Sequence, residues 1–428
     1  MITDNRTPWI GQDGRSLWRN EGFLFLCAGQ CLSQLADAAL RIVILIWIYQ
    51  LTRSGMAVSL VGLAEALPFL LLGAVAGVFV DRWNRASTMA GAVLVRALIL
   101  GLFLLAPESP SLPLIVLMAV GMSAASQFFQ PASSAALPVV TGPARVGQAN
   151  SLLALLTSGL AVLTPGPAAL LFATAGAQRT LLALGGMYVL AVPLLLRVPA
   201  GGRQRHEDRP PSFRVELRAG WDYVRRSPLL RVILVVRCLT MLGIGALSVL
   251  DIVFVTRALH QRSEVVGLLF MVMGAGEAMG SVLVFVSHDW LQQRYHRLLG
   301  LAVLANGMCN LAYAGAPTLL IAAALLGGVG LSLPAITVAA ATLLQRGTDD
   351  SVMGRVVSVI GTAASVAMIT STAWGGVLAD LLGVRPAIGL AAMVLIIAAL
   401  IACAFLWMLP MVGPGYSDDT RPTTRDDV

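Results

Sequence analysis

The chain has 428 residues, 57% of them hydrophobic and only 12% charged, with a formal net charge of +7. That is too little charge to cover a water-soluble globule of this size, and the apolar residues come in runs long enough to cross a bilayer. Every one of the 29 basic residues is Arg, so a Lys-containing phosphate loop and Lys Schiff-base chemistry are excluded, and transport against a gradient must draw on another gradient or a separate ATPase subunit.

In chain order, a polar stretch with Arg6, Asp13, Arg15 and Arg19 precedes the first apolar run, and no small-residue cleavage site follows that run at short range. The first run is therefore expected to remain as an anchor. Twelve spans can be placed, at 23–49, 57–80, 86–105, 112–137, 149–173, 180–196, 229–256, 265–287, 298–315, 318–344, 353–381 and 386–409. With the N-terminus inside, inner loops and tails carry 20 Arg and outer loops five. This asymmetry predicts that both termini are cytoplasmic, in the inner (plasma) membrane. Basic residues spread over membrane-proximal loops also account for the net charge without nucleic acid.

The first span carries Gln30, Gln34, Asp37 and Arg41 at i, i+4, i+7 and i+11, one face of a helix. Ser123, Gln127, Gln130 and Ser134 repeat that spacing in the fourth, and Arg237, Thr240, Ser248 and Asp251 form a sector of the seventh. For the Ser and Gln residues, a cavity lining and helix-packing hydrogen bonds fit equally well. Asp37, Arg41, Glu65, Arg96, Arg237, Asp251 and Glu277 all lie inside spans, where an uncompensated charge costs roughly 2.5–3.5 kcal/mol, so each should pair or face water. The spacing permits Asp37 to pair with Arg41 one turn away, and Glu65 to pair with Arg96 on the neighbouring span, although sequence does not fix the depth or rotation of that second pair. Asp37 is the first candidate for a proton carrier, with Glu65 and Glu277 behind it; Arg96 is expected to be structural and Asp251 to form a gate near the outer surface.

Between the second and third spans, Gly73 and Gly77 precede Asp81, Arg82 and Arg85. In the fifth, Gly159 precedes Thr164-Pro165-Gly166-Pro167, a sequence that removes backbone donors and kinks a helix. The connection after the sixth span opens as a Gly- and Pro-rich linker and continues with Phe213, Leu217, Trp221 and Val224 on one helical face, expected to form a short surface helix. Val61-Gly62-Leu63 and Val266-Gly267-Leu268, at corresponding places of two sets of six spans, suggest related halves. The expected organisation is a cytoplasmic tail (1–22), a six-helix bundle (23–197), a linker with a surface helix (198–228), a second six-helix bundle (229–409) and a cytoplasmic tail (410–428). Neither the five cysteines nor the four histidines suggest a metal site.

The segment from Gly77 to Arg85 resembles the signature loop G-x-x-x-D-R-x-G-R of the major facilitator superfamily, with Asn84 in place of the usual Gly. The segments 29–37, 128–132, 148–152 and 354–356 are similar to the branch that contains macrolide-efflux proteins and the enterobactin exporter, and the Thr164–Pro167 kink looks like a shortened antiporter motif. The resemblance implies an all-α fold of twelve transmembrane helices in two pseudo-symmetric bundles. It implies a cytoplasmic charge latch at Gly77, Asp81, Arg82 and Arg85, an antiporter-like kink at Gly159, Pro165, Gly166 and Pro167, and a local structural role for Asp380. The functional expectation is a non-enzymatic, cofactor-free monomer in contact with membrane lipid, exporting an amphipathic drug, secondary metabolite or siderophore in exchange for protons. Gln30, Gln34, Asp37, Arg41, Gln127, Gln130 and Arg237 would line the cavity. An importer or facilitator of a small nutrient on the same fold is the alternative.

Overall fold

A bilayer offers no hydrogen-bond partners to exposed backbone, so a chain this apolar satisfies its N–H and C=O groups within helices. The computed structural model describes residues 17–80, 83–105, 110–142, 145–199, 213–291, 294–349 and 352–406, which contain helices and no strand. In order these are α1 (Glu21–Thr52), α2 (Gly55–Val80), α3 (Arg85–Phe103), α4 (Leu112–Thr141), α5 (Val146–Leu163), α6 (Pro165–Leu196), α7 (Phe213–Arg226), α8 (Pro228–Val253), α9 (Val265–Val286), α10 (His288–Leu291), α11 (Tyr295–Ala314), α12 (Leu319–Arg346), α13 (Met353–Leu382) and α14 (Val384–Leu406). Among the described residues ten helices are long and apolar enough to cross a membrane; α2 enters that comparison only as the apolar stretch Gly55–Phe69, and α11, helical at its expected place, is not among the ten.

The boundary between the fifth and sixth spans shows how Gly and Pro set the architecture. α5 ends at Leu163, where Pro165 cannot donate to the preceding turn. The chain resumes as α6 until Gly176, whose φ of 78° and ψ of 175° break the helix. Those angles suit only a residue without Cβ. The part of α6 before Gly176 packs with α5 against α9, whereas the part after it packs against α1 and α3: Cβ atoms built on Gly267 and Gly29 would meet Pro165 with Ala169 and Leu195 respectively.

Small residues make the remaining crossings close, as expected where water supplies no drive for helices to associate. α9 and α12 meet almost backbone to backbone: a Cβ on Gly276 would collide with the Gly327 carbonyl, and one on Gly330 with the Met273 carbonyl. α2 and α13 meet through Gly55 and Gly376, with the Gly376 N–H donating to Ser59 Oγ at 2.8 Å. α7 lies against the start of α13, with Gly220 over the Arg355 carbonyl and Val224 fully buried. Trp221, expected on that packing face, is 43% exposed.

One end of the molecule is closed. Asp380, at the last turn of α13, accepts hydrogen bonds from Ser54 Oγ–H (3.0 Å), Met56 N–H (3.0 Å) and Gly55 N–H (3.4 Å) at the start of α2. It also pairs with Arg257 Nη1 at 2.8 Å. Arg257 in turn donates to the Arg53 carbonyl, and Gln50 of α1 donates to Ser263 and Glu264 ahead of α9. The structural role expected for Asp380 takes the form of a cap on a helix more than 300 positions away, because a carboxylate placed at a helix N-terminus meets unpaired N–H groups.

Candidate functional site

Asp37 sits near the middle of the 32-residue α1, ~24 Å from either end at the helical rise of 1.5 Å per residue. Its carboxylate is held from two other helices. Arg96 of α3 pairs with Oδ2 at 2.8 Å, and the Tyr188 hydroxyl of α6 donates to Oδ1 at 2.5 Å. Arg96 also donates to Ser33 Oγ at 3.0 Å. Its guanidinium lies 5.4 Å from the Phe129 ring centroid and 5.9 Å from that of Tyr188, within cation–π range. At 1% exposure Arg96 is among the largest fully buried side chains. A buried charge at this depth is tolerated because the Asp37 carboxylate, the Ser33 hydroxyl and two ring faces replace most of its water, although the buried Nε has no hydrogen-bond partner among the described residues.

Both ion pairs expected from the sequence are therefore corrected. Asp37 does not pair with Arg41 one turn along, because Arg96 reaches it from α3 at the same depth with better geometry. Arg96, spent on Asp37, does not pair with Glu65. Arg41 and Glu65 carry no ion pair among the described residues, and both line a cavity of about 280 Å³. Gln34, Asp37, Arg96, Ser123, Gln127 and Gln130 share that lining with apolar groups from Leu40, Ile44 and Met122. Such a volume is at the lower end of those of small-molecule sites.

Gln30 does not reach this lining: its Oε1 accepts from Ser133 Oγ at 2.8 Å, and the side chain is 8% exposed. Helical spacing put Gln30 on the correct face but two turns from Asp37, where α4 closes over it. Arg237 of α8 is half-buried and is also absent from the lining. Glu277 is exposed. At 100° per residue the exposed Leu268, Ala275, Met279 and Val282 mark the lipid-facing arc of α9. Glu277 lies between the seam to α12 and the contact with α5 and is absent from the cavity lining. Asp251 is 5% exposed, in the last turn of α8 about two turns before Arg257 of the closed end.

Of the charge latch, Asp81 and Arg82 lie outside the described residues, and Gly77 is described only as backbone within α2. Arg85 opens α3, and Asn84, standing where the signature has Gly, caps that helix by accepting from the Ser87 N–H at 3.1 Å. Trp83 stacks on Phe128 of α4 at 6.2 Å. In the kink, Pro165 breaks the helix and Gly166 faces Met271 of α9, while Gly159 borders open space and makes no close contact.

Sequence reasoning missed Tyr188 and Ser33 and did not connect Arg96 to Asp37. The available signal was a lone hydroxylated ring in an otherwise apolar sixth segment; nothing in one sequence connects it to a carboxylate 151 positions away.

A family model described as Major Facilitator Superfamily matches residues 26–372. The chain is 27% identical over 403 residues to an uncharacterized MFS-type transporter, YfiS, of Bacillus subtilis, covering 90% of this chain and 94% of the relative. It is 24% identical over 373 residues to macrolide efflux protein A of Streptococcus pyogenes (85% and 90% covered). With the multidrug efflux pump Tap of Mycolicibacterium fortuitum it shares 25% over 388 residues (85% and 91%). Among solved structures, a bacterial homolog of the human lysosomal transporter Spinster, inward-facing and unoccupied, superposes with a TM-score of 0.71 at 16% identity (92% and 98% covered). The nucleoside transporter NupG, as a D323A mutant, does so with 0.76 at 9% identity (90% and 99%).

Proposed function

The chain belongs to the major facilitator superfamily and is a multi-pass membrane transporter, and from that premise we propose that it exports an amphipathic small molecule in exchange for protons by alternating access. The observation that carries this reading is the Asp37 carboxylate, shared between Arg96 and Tyr188 on the wall of a polar and apolar cavity near the middle of the span. Protonation of Asp37 would cancel the charge that holds Arg96, linking proton uptake to a rearrangement of α1, α3 and α6. Gln34, Gln127 and Gln130 offer donors and acceptors to a cargo, Arg41 and Glu65 offer charges of both signs, and Leu40, Ile44 and Met122 offer apolar contact. The efflux proteins among its relatives support the outward direction.

In this reading the chain is a monomer in the plasma membrane with both termini cytoplasmic. Twelve spans form two bundles, and the described state is sealed outside by Asp380 and Arg257. Asp81, Arg82 and Arg85 form the opposing inner latch, and Glu277 is a second carboxylate reachable from the space between the bundles. The cargo is a drug, secondary metabolite or siderophore.

The test is transport in everted vesicles with a panel of such compounds. Substrate-dependent proton release from acidified vesicles is the expected result, lost in Asp37→Asn. Uptake that ignores a collapsed pH gradient would instead show an importer or facilitator.

A further inference from the structure

The structure assigns to α7 a second binding surface: the face carrying Arg218, Trp221 and Arg225 docks on anionic phospholipid headgroups of the leaflet at that end of the molecule. These three residues follow one another at i, i+3 and i+7, so they share one side of the helix. All three are exposed, as are Arg226 at the helix end and Arg355 at the start of α13, whose carbonyl packs under Gly220. Among the described residues none of these four guanidiniums makes an ion pair or hydrogen bond.

Three features identify the occupant. First, α7 is held at the membrane end of the bundle by its other side, where Gly220 and Val224 press on Val359 and its neighbours; the Arg–Trp side is thus presented laterally, level with the ends of α8 and α13. Second, the indole stands exposed between guanidiniums, the combination that places an amphipathic ring at headgroup depth with basic groups on the phosphates. Third, four exposed Arg outnumber the one exposed acid among them, Asp222, and this net positive surface complements a leaflet rich in anionic lipid, where each basic residue strengthens association about fivefold. A protein partner would need a complementary acidic and apolar surface, whereas lipid is already adjacent.

The surface also has a mechanical connection. α7 docks on α13, and α13 carries both the contact with α2 and the Asp380 closure at its far end. Headgroup binding therefore grips a helix that has to move when the closed end opens.

The experiment uses the full chain purified into vesicles of phosphatidylcholine with or without phosphatidylglycerol. The component of tryptophan fluorescence that disappears in Trp221→Phe should be quenched by brominated phosphatidylglycerol more than by brominated phosphatidylcholine. Lipid retention measured by native mass spectrometry should fall about 30-fold for phosphatidylglycerol in the Arg218→Gln/Arg225→Gln variant, two basic residues at about fivefold each, and be restored in Arg218→Lys/Arg225→Lys. The lysine pair preserves charge, so a result remains available if the glutamine pair misfolds. Equal quenching by both lipids, unchanged retention in the glutamine variant, loss of binding in the lysine variant, or displacement by soluble glycerol phosphate at matched ionic strength would each overturn the assignment.

Discussion

Replacing Asp380 by Ala should release the closed end and shift the chain toward the opposite conformation. In the structure this carboxylate receives Ser54 Oγ–H and Met56 N–H at 3.0 Å each and Arg257 at 2.8 Å. The Gly55 N–H at 3.4 Å is too long to add much. Hydrogen bonds to a charged acceptor contribute about 1.5–3 kcal/mol when buried, but the pair side chains are 38% and 28% exposed. Each of the two good bonds is therefore discounted to about 1–1.5 kcal/mol, and the ion pair to at most about 1 kcal/mol. The sum, about 2–4 kcal/mol, corresponds to roughly a 30- to 1000-fold change in the ratio of the two conformations. Asp380→Asn keeps an acceptor oxygen and loses mainly the charge, so it should shift the ratio only about fivefold. Spin labels at the exposed Leu51 and Leu382 would report the separation of α1 from α13 at that end. A distance distribution unchanged between the wild type and a folded Asp380→Ala protein would show that the interaction does not hold this end shut.

Arg96→Met strands the Asp37 carboxylate and should destabilise the fold by about 3–5 kcal/mol; adding Asp37→Asn should recover much of that loss in thermal unfolding. Tyr188→Phe removes one donor to that carboxylate and should cost about 1.5–3 kcal/mol in the same assay, with the ring contact to Arg96 retained. Gly330→Val pushes a side chain into the Met273 carbonyl, and a drop in folded yield on size-exclusion chromatography is expected from at least about 1–3 kcal/mol of overpacking. Gly176→Ala places a Cβ in a backbone region that is essentially confined to glycine, at about 1–3 kcal/mol; an unfolding midpoint equal to that of the wild type would contradict the break described there.

The all-helical, membrane-spanning character of the chain was legible because long apolar runs and the exclusion of charge leave direct marks on a sequence. Gln34, Asp37 and Arg41 could be placed together because their spacing follows the helical period. The partners of Asp37 could not, since Arg96 and Tyr188 arrive from other helices whose rotation and depth depend on packing. Gln30 shows the same limit from the other side: periodicity fixed its face, but Ser133 decides that it is sealed rather than open to the cavity. Asp380 is given a structural role by resemblance alone, which does not name its partners, and the N–H groups it caps belong to a helix at the far end of the chain.

Bracketed by the rings of Phe129 and Tyr188, Arg96 has a standby for its acidic partner. When Asp37 is neutral, the negative faces of the two rings still oppose the guanidinium, so the arginine can stay seated while its counter-ion comes and goes. The aromatic pair thus lets the acid be neutralised without ejecting the arginine, so that α1 can shift against α3 and α6 while the guanidinium keeps its seat, much as a socket keeps its grip after the current is cut.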